Sequence, residues 1–233
     1  MSLKDEFLKS LIGQQKDGKI RFALDDHGDI THLIKRVDSR CQEVYEKLAA
    51  LRSPYLPAVL LMKEVDGALE VHEEYIRGQT LEAYAQEQGP LDDETLRQVA
   101  FDVAQALRLL HSTQPPIIHR DVKPQNILRR ENGRFVLIDF DAARLYDADA
   151  DTDTRCIVTM GYAAPEQYGL AQTDVRSDLF SLGVTLYEMK TGEHYVMGAK
   201  CEGALHAVIA RCTAFDPKKR YASAEELLRA LDA

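Results

Sequence analysis

The chain opens in alternation and continues in helical period. "KIRFALD" sets Ile20, Phe22 and Leu24 on one side of an extended segment, and "DITHLIKRV" resumes the pattern after the turn-rich "DDHGD". "AVLLMKEV" and "LEVHEEYI" flank Asp66-Gly67, a dipeptide suited to a hairpin turn. Between these strand pairs, "SRCQEVYEKLAALR" reads as one short helix. From Thr80 the period changes. Asp92 is placed to cap a helix that carries Leu96, Val99, Ala100, Val103, Leu107 and Leu110 on one face as far as His111. "SDLFSLGVTLYEMKTG" reads as a buried helix ended by Gly192, with "GALHAVIARCTAF" and "SAEELLRALDA" as two more. Strands first and helices after predict an α+β chain in two lobes, 1–77 and 78–233, meeting near Arg77-Gly78.

One stretch breaks this apolar logic. "IIHRDVKPQNILRRENGRFVLIDFD" carries Asp121, Asn126 and Asp139 among apolar runs. Asn132-Gly133 signals a two-residue hairpin loop. Counting back from that loop puts Leu128 opposite Leu137 and Asn126 opposite Asp139, about 5 Å apart, a spacing at which an amide oxygen and a carboxylate can share a hard cation such as Mg²⁺. Asp121 lies in a loop returning to the same end. One polar residue there is an ordinary strand terminus; three converging acceptors point to a site.

Composition narrows the classes. The 233 residues are 45% hydrophobic and 29% charged, which is ordinary for a soluble globular chain, and the net charge of -9 argues against a nucleic-acid or anionic-membrane binder. Cys41, Cys156, Cys201 and Cys212 form no C-x-x-C pair and read as free thiols of a reducing compartment. No apolar run reaches spanning length, and "MSLKDEFLKS" lacks the apolar core of a signal peptide, so the expectation is a cytoplasmic domain without a membrane segment. Nothing in the sequence reports oligomeric state.

With "HRDVKPQN", "IDFD", "GYAAPEQ" and "SDLFSLG" in this order and spacing, the chain resembles the eukaryotic-type serine/threonine protein kinases in their compact bacterial form, over nearly its whole length. The resemblance implies a bilobal fold. A small antiparallel sheet with one helix would sit on a larger, mainly helical lobe, with ATP and Mg²⁺ or Mn²⁺ between them and a protein serine or threonine as acceptor. It implies that Asp121 handles the proton of the acceptor hydroxyl, that Lys123 contacts the transferring phosphoryl group, and that Asn126 and Asp139 hold the metal. Lys35 would grip the α- and β-phosphates. It lies 22 residues after Gly13, the family's usual interval; without the resemblance it would pass for a solvated strand lysine. Gly13, Gly18, Ile20, Leu33, Glu74 and Ile76 would line the nucleotide. Glu43, in preference to Glu46, would pair with Lys35. Glu166 and Arg220 match a buried ion pair, Asp178 would brace the catalytic loop, and Thr159 would hydrogen-bond Asp121 and Lys123.

The chain departs from the family pattern at its nucleotide end. Gln15 replaces the middle glycine of the phosphate loop, Asp17 stands at its tip, Leu33 replaces a small residue, and Glu73 takes the gatekeeper position. Asp141 replaces the glycine after the metal ligand, a change expected to restrict that segment. These departures keep a pseudokinase open as the main alternative; a small-molecule kinase is the second, opposed by "APE", Arg220 and Lys123. The run "YDADADTDTR" has calcium-loop spacing but Thr152 and Val158 at positions that need glycine and glutamate, so calcium is rejected. The resemblance implies that Arg120 pairs with a phosphorylated residue of this stretch, which makes Thr152 and Thr154 candidate phosphosites, with Asp151 or Asp153 as charge without modification; a solvated acidic loop is a reading of at least equal weight.

Overall fold

The computed structural model describes residues 20–147, 159–168 and 173–232. The alternating segments form strands β1 (Ile20–Leu24), β2 (Ile30–Val37), β3 (Val59–Val65) and β4 (Ala68–Glu74), joined in one antiparallel sheet in the order β1-β2-β4-β3. Asp66 and Gly67 turn β3 into β4 with φ of 51° and 72°, the two positive values that a tight hairpin of matching twist requires. Helix α1 (Gln42–Ala50) buries Val44, Tyr45 and Leu48 and leaves its charged residues to solvent.

A second sheet, ordered β5-β7-β8, consists of β5 (Gly78–Thr80), β7 (Ile127–Arg130) and β8 (Phe135–Leu137), while β6 (Ile117–Ile118) pairs with β9 (Arg144–Leu145). Helix α2 (Leu81–Gln88) follows β5 with Thr80 as its cap. The long helix α3 (Asp93–His111) starts where Asp92 accepts from the Thr95 N–H at 2.7 Å, and its six expected core residues are all fully buried. Asp102 is the polar exception on that buried face. Its carboxylate accepts from the Phe135 N–H at 2.8 Å and so fastens β8 to the helix. Burial pushes the Asp102 carboxyl up from its ordinary value.

Helix α4 (Val175–Thr191) is buried on nearly every side and ends at Gly192, whose φ of 73° closes the helix as a left-handed cap. Gly183 admits α5 (His206–Cys212), because a Cβ there would lie 2.5 Å from Cys212 Cβ. Helix α6 (Ala224–Leu231) closes against α3. Among the described residues no helix is long and apolar enough to cross a membrane, and Cys41, Cys201 and Cys212 are free thiols.

The register of the β7-β8 hairpin corrects the sequence expectation. Ile127 faces Leu137 and Leu128 faces Val136, one residue away from the expected pairing. The loop has three residues, Glu131 to Gly133, because Arg130 pairs with Arg134 and Gly133 alone has positive φ, at 83°. Asn132 does not take the left-handed position; its side chain accepts from the Arg134 N–H at 3.1 Å and holds the turn. Asn126 therefore meets Ile138, whose N–H donates to the Asn126 carbonyl at 2.9 Å, and Asp139 lies one residue further on.

Candidate active site

Where β8 ends, the backbone leaves the extended region. Asp139 has φ of 68°, a left-handed conformation that a short acidic side chain tolerates better than most. This turn takes the Asp139 carboxylate out of strand alternation. Asp139 Oδ1 lies 3.7 Å from Lys35 Nζ, and its side chain keeps 41% exposure in an otherwise buried neighbourhood. Burial alone would raise its carboxyl; Lys35 first, then His119, outweigh that and hold it below the usual range. Asp141 does not have positive φ, so a residue with a side chain fits there without strain. The left-handed position falls two residues earlier, at Asp139.

Asp121 sits at the centre of a second group. Thr159 Oγ1 donates to its Oδ1 at 2.6 Å; Lys123 Nζ lies 2.8 Å from Oδ2; and Asn126 Nδ2 donates to Oδ2 at 2.8 Å and to the Asp121 carbonyl at 2.9 Å. Lys123 also donates to Thr159 Oγ1 at 3.1 Å, closing a ring of Asp121, Thr159 and Lys123. A carboxylate offers about four lone-pair sites, so these three side-chain donors leave one for a further donor. The Asn126 bonds both use its nitrogen, which leaves Oδ1 as a neutral, hard oxygen.

The loop bearing these groups is held from below. Asp178 on α4, fully buried, accepts from the backbone N–H of His119 at 2.9 Å and of Arg120 at 2.7 Å, and its Oδ2 lies 2.9 Å from His111 Nε2. Burial disfavours this charge, yet the His111 hydrogen bond and the adjacent donors hold the carboxyl below its ordinary value. The grip supports Arg120 at φ of 68°, a strained position for a long side chain. Burial pulls the pKa of His119 below its ordinary value, against the opposing pull of Asp178, Asp121 and Asp139. Its contacts fit one tautomer: Nε2–H donates to the Ile138 carbonyl at 3.2 Å and Nδ1 accepts from the Asp121 N–H at 3.3 Å. His111 carried no sequence signal beyond its place at a helix end.

Lys35, on β2, is buried, and its Nζ lies 3.3 Å from Glu73 Oε2. This corrects the expected pairing with Glu43: Glu43 and Glu46 are exposed on α1, and Glu46 instead accepts from Gln42 at 2.8 Å. Helix periodicity gives the reason, since turning Val44, Tyr45 and Leu48 inward rotates both acids outward. Burial opposes the charge on Lys35, but Glu73, Asp139 and Asp141 outweigh it and hold its pKa above the ordinary value. Ile20 faces Lys35 across β1, Leu33 faces Glu73, and Ile76 is buried just past β4. The Glu74 side chain is engaged elsewhere, 2.9 Å from Arg130 and accepting from the Ala58 N–H at 3.2 Å. Gly13, Gly18 and residues 148–158, with Thr152 and Thr154, lie outside the described residues.

Two further relations tie the 159–168 segment down. Arg220 forms a two-pronged pair with Glu166 at 2.6 and 3.0 Å, buried on both sides, and Ser177 donates to the same carboxylate at 2.8 Å. Gln167 Nε2 donates to the Arg120 carbonyl at 3.0 Å, joining this segment to the loop that bears Asp121.

The arrangement brings a carboxylate with a free lone-pair site, the Lys123 ammonium and a neutral amide oxygen to one loop. Among the described residues no group of three or more His, Cys, Asp or Glu forms an all-protein metal cage. One amide oxygen and one carboxylate suit an ion that completes its shell with water and phosphate, the habit of Mg²⁺.

Comparison with known proteins agrees with this geometry. Residues 9–227 match the model of the protein kinase domain. The chain is 34% identical over 177 residues to serine/threonine-protein kinase F of Synechocystis, covering 69% of this chain and 35% of that protein. It is 31% identical over 237 residues to serine/threonine-protein kinase PknB of Mycobacterium leprae, covering 86% and 38%. A probable serine/threonine-protein kinase of Clostridium perfringens is 39% identical over 146 residues, covering 62% of this chain and 21% of that protein. The chain thus spans well under half the length of these curated relatives. The α+β bilobal fold, the ordered motifs and the match across nearly the whole chain establish that it belongs to the protein kinase domain family.

Proposed function

We propose that this chain transfers the γ-phosphoryl group of ATP to a serine or threonine hydroxyl of a protein. The observation that carries the reading is the ring of Asp121, Lys123 and Thr159 closed around one carboxylate, with Asn126 bonded to it and Asp139 within electrostatic reach of Lys123. Phosphoryl transfer asks a protein chiefly for positioning and charge neutralisation. The lone-pair site left on Asp121 accepts the acceptor hydroxyl and orients its oxygen. Lys123, already beside Asp121, supplies positive charge where the transferring group becomes anionic. Lys35 holds the phosphates from the sheet side. Asn126 Oδ1 and the Asp139 carboxylate are the ligands for Mg²⁺ or Mn²⁺, which when bound neutralises phosphate charge. Ile20, Leu33 and Ile76, with the backbone at Glu74, are the candidates for the nucleotide wall on the sheet side, and the sequence pattern adds Gly13 and Gly18 as phosphate-loop candidates. We place the division between lobes at 77/78, a reading supported by Gly78, which begins the strand that pairs with β7.

The test is transfer of labelled γ-phosphate from ATP, with Mg²⁺ or Mn²⁺, to the chain itself and to a generic basic protein. Label on serine or threonine that is absent in Asp121→Asn and Asp139→Ala supports the reading. A folded wild-type chain that neither transfers label nor gains thermal stability from nucleotide would leave the pseudokinase reading in its place. Transfer to small alcohols in preference to protein would favour the small-molecule kinase.

A further inference from the structure

The acid that meets Lys35 comes from the wrong element for a movable helix. Lys35 faces Val71 and Leu33 faces Glu73 across adjacent antiparallel strands, so Lys35 and Glu73 are diagonal neighbours on one face of the same sheet. Their ion pair at 3.3 Å is fixed by strand register. Glu73 is 2% exposed, and Lys35 is its one charged contact within salt-bridge distance among the described residues. A carboxylate buried this far is costly unless a cation answers it. Helix α1 brings no acid inward. It meets the site through Tyr45, whose ring packs edge-on against Phe140 at 6.3 Å, and Phe140 in turn against His119 at 5.2 Å. The Tyr45 hydroxyl and Glu73 Oε1 are both buried without a hydrogen-bond partner among the described residues. The charge on Glu73, after burial, adds to the upward push on the Tyr45 phenol. The two orphan atoms therefore sit within electrostatic reach of one another.

We infer that Glu73 is the positioning residue for Lys35, so that the placement of the phosphate-holding lysine is a property of β2-β4 register and does not depend on where α1 docks. The inference rests on the kinase reading above. Asp139 is freed by it. With Glu73 holding the lysine at 3.3 Å, the more exposed Asp139, at 3.7 Å, is left for a metal ion.

The experiment compares the full 233-residue chain with Glu73→Gln, with the Glu43→Gln/Glu46→Gln pair, and with Tyr45→Glu added to Glu73→Gln. Rates are measured against ATP concentration at saturating Mg²⁺, together with the MgATP Kd by calorimetry and the melting temperature. Glu73→Gln keeps the shape of the side chain, so the expected result is a loss of roughly 10- to 100-fold in kcat/KM for ATP at similar melting temperature, the scale of a misplaced catalytic contact. The helix pair stays near wild type. Moving the acid to the helix in the double variant recovers part of the loss, which a merely structural role would not allow. The inference is overturned if Glu73→Gln matches or exceeds wild type, or if the Glu43/Glu46 pair carries the loss instead. Wild-type transfer judges the kinase reading separately. If wild type binds MgATP but transfers nothing, a weaker Kd in Glu73→Gln supports the inference and an unchanged one refutes it; if wild type binds no nucleotide, both readings fall.

Discussion

Thr159 Oγ1 donates to Asp121 Oδ1 at 2.6 Å and at the same time accepts from Lys123 Nζ, so one hydroxyl fixes the distance between the carboxylate and the ammonium. Thr159→Val keeps the shape and removes both bonds. A hydrogen bond to a charged group is worth about 1.5–3 kcal/mol, and each ~1.4 kcal/mol is tenfold in rate. We expect kcat to fall at least about tenfold while KM for ATP changes little, with Thr159→Ser near wild type. Steady-state kinetics on both variants decides this, and an unchanged kcat in Thr159→Val would remove Thr159 from the site.

Asp139 and Asn126 are expected to set the metal requirement. Asn126→Ala also frees Asp121 Oδ2 from one donor, whereas Asp139→Asn leaves the Asp121 ring intact and keeps Lys35 paired with Glu73. The two variants should therefore fail differently. Asp139→Asn should raise the Mg²⁺ concentration needed for half-maximal rate and cut kcat by about 10² or more, on the scale of losing one preorganised electrostatic contact. A chelator should stop wild-type transfer and restored Mg²⁺ should revive it. A variant whose Mg²⁺ dependence is unchanged would show that Asp139 does not ligate the ion.

The Glu166–Arg220 pair is a stability element. Arg220 also donates to the carbonyls of Ala214, Phe215 and Arg176, so removing it orphans several buried acceptors as well as one carboxylate. Breaking a buried pair from one side costs about 3–5 kcal/mol. At roughly 2–4 °C per kcal/mol for a chain of this size, Arg220→Met should melt on the order of 10 °C lower. Glu166→Gln should lose less, since its amide oxygen still accepts from Arg220 and Ser177. Equal losses would mean that charge, not the count of hydrogen bonds, dominates.

How far the site was legible depends on the kind of signal. Leu96, Val99 and Val103 were readable because helical period is local, and Glu166, Arg220, Asp178 and Thr159 because motif order carries long-range pairs. The β7-β8 register was misread because Asn132-Gly133 suits two loop lengths, and only the backbone shows that Gly133 alone turns left-handed. The count that set Asn126 opposite Asp139 fails with that register, and the positive φ of Asp139 has no local signal in the sequence. Glu43 failed for a different reason. The family pattern places an acid on the helix, while the rotation set by Val44, Tyr45 and Leu48 points this helix's acids to water. Glu73 was visible as an unusual gatekeeper, but its pairing with Lys35 needs the β2-β4 register, which no local pattern encodes.

His119 offers a pH test of the same loop. Its folded pKa lies below the ordinary 6.5, chiefly through burial, so the unfolded chain binds a proton that the folded chain refuses. The stability this represents is fully present above about 6.5 and is lost as pH falls from there through the folded value. Asp178, also lowered, acts with the same sign but in a window below its ordinary 3.8, too acidic to confuse the first. Between pH 7.5 and 5 the urea-unfolding free energy of wild type should therefore decline. His119→Gln keeps a donor for Ile138 and an acceptor for the Asp121 N–H, but it cannot titrate. Its decline should be shallower. It should not be flat, because His32 on β2 is lowered by burial and then by His72, and adds a slope of the same sign. Adding His32→Gln should flatten the profile further. Parallel wild-type and His119→Gln profiles would mean that the imidazole takes up its proton equally well in both states, and would overturn the lowered pKa.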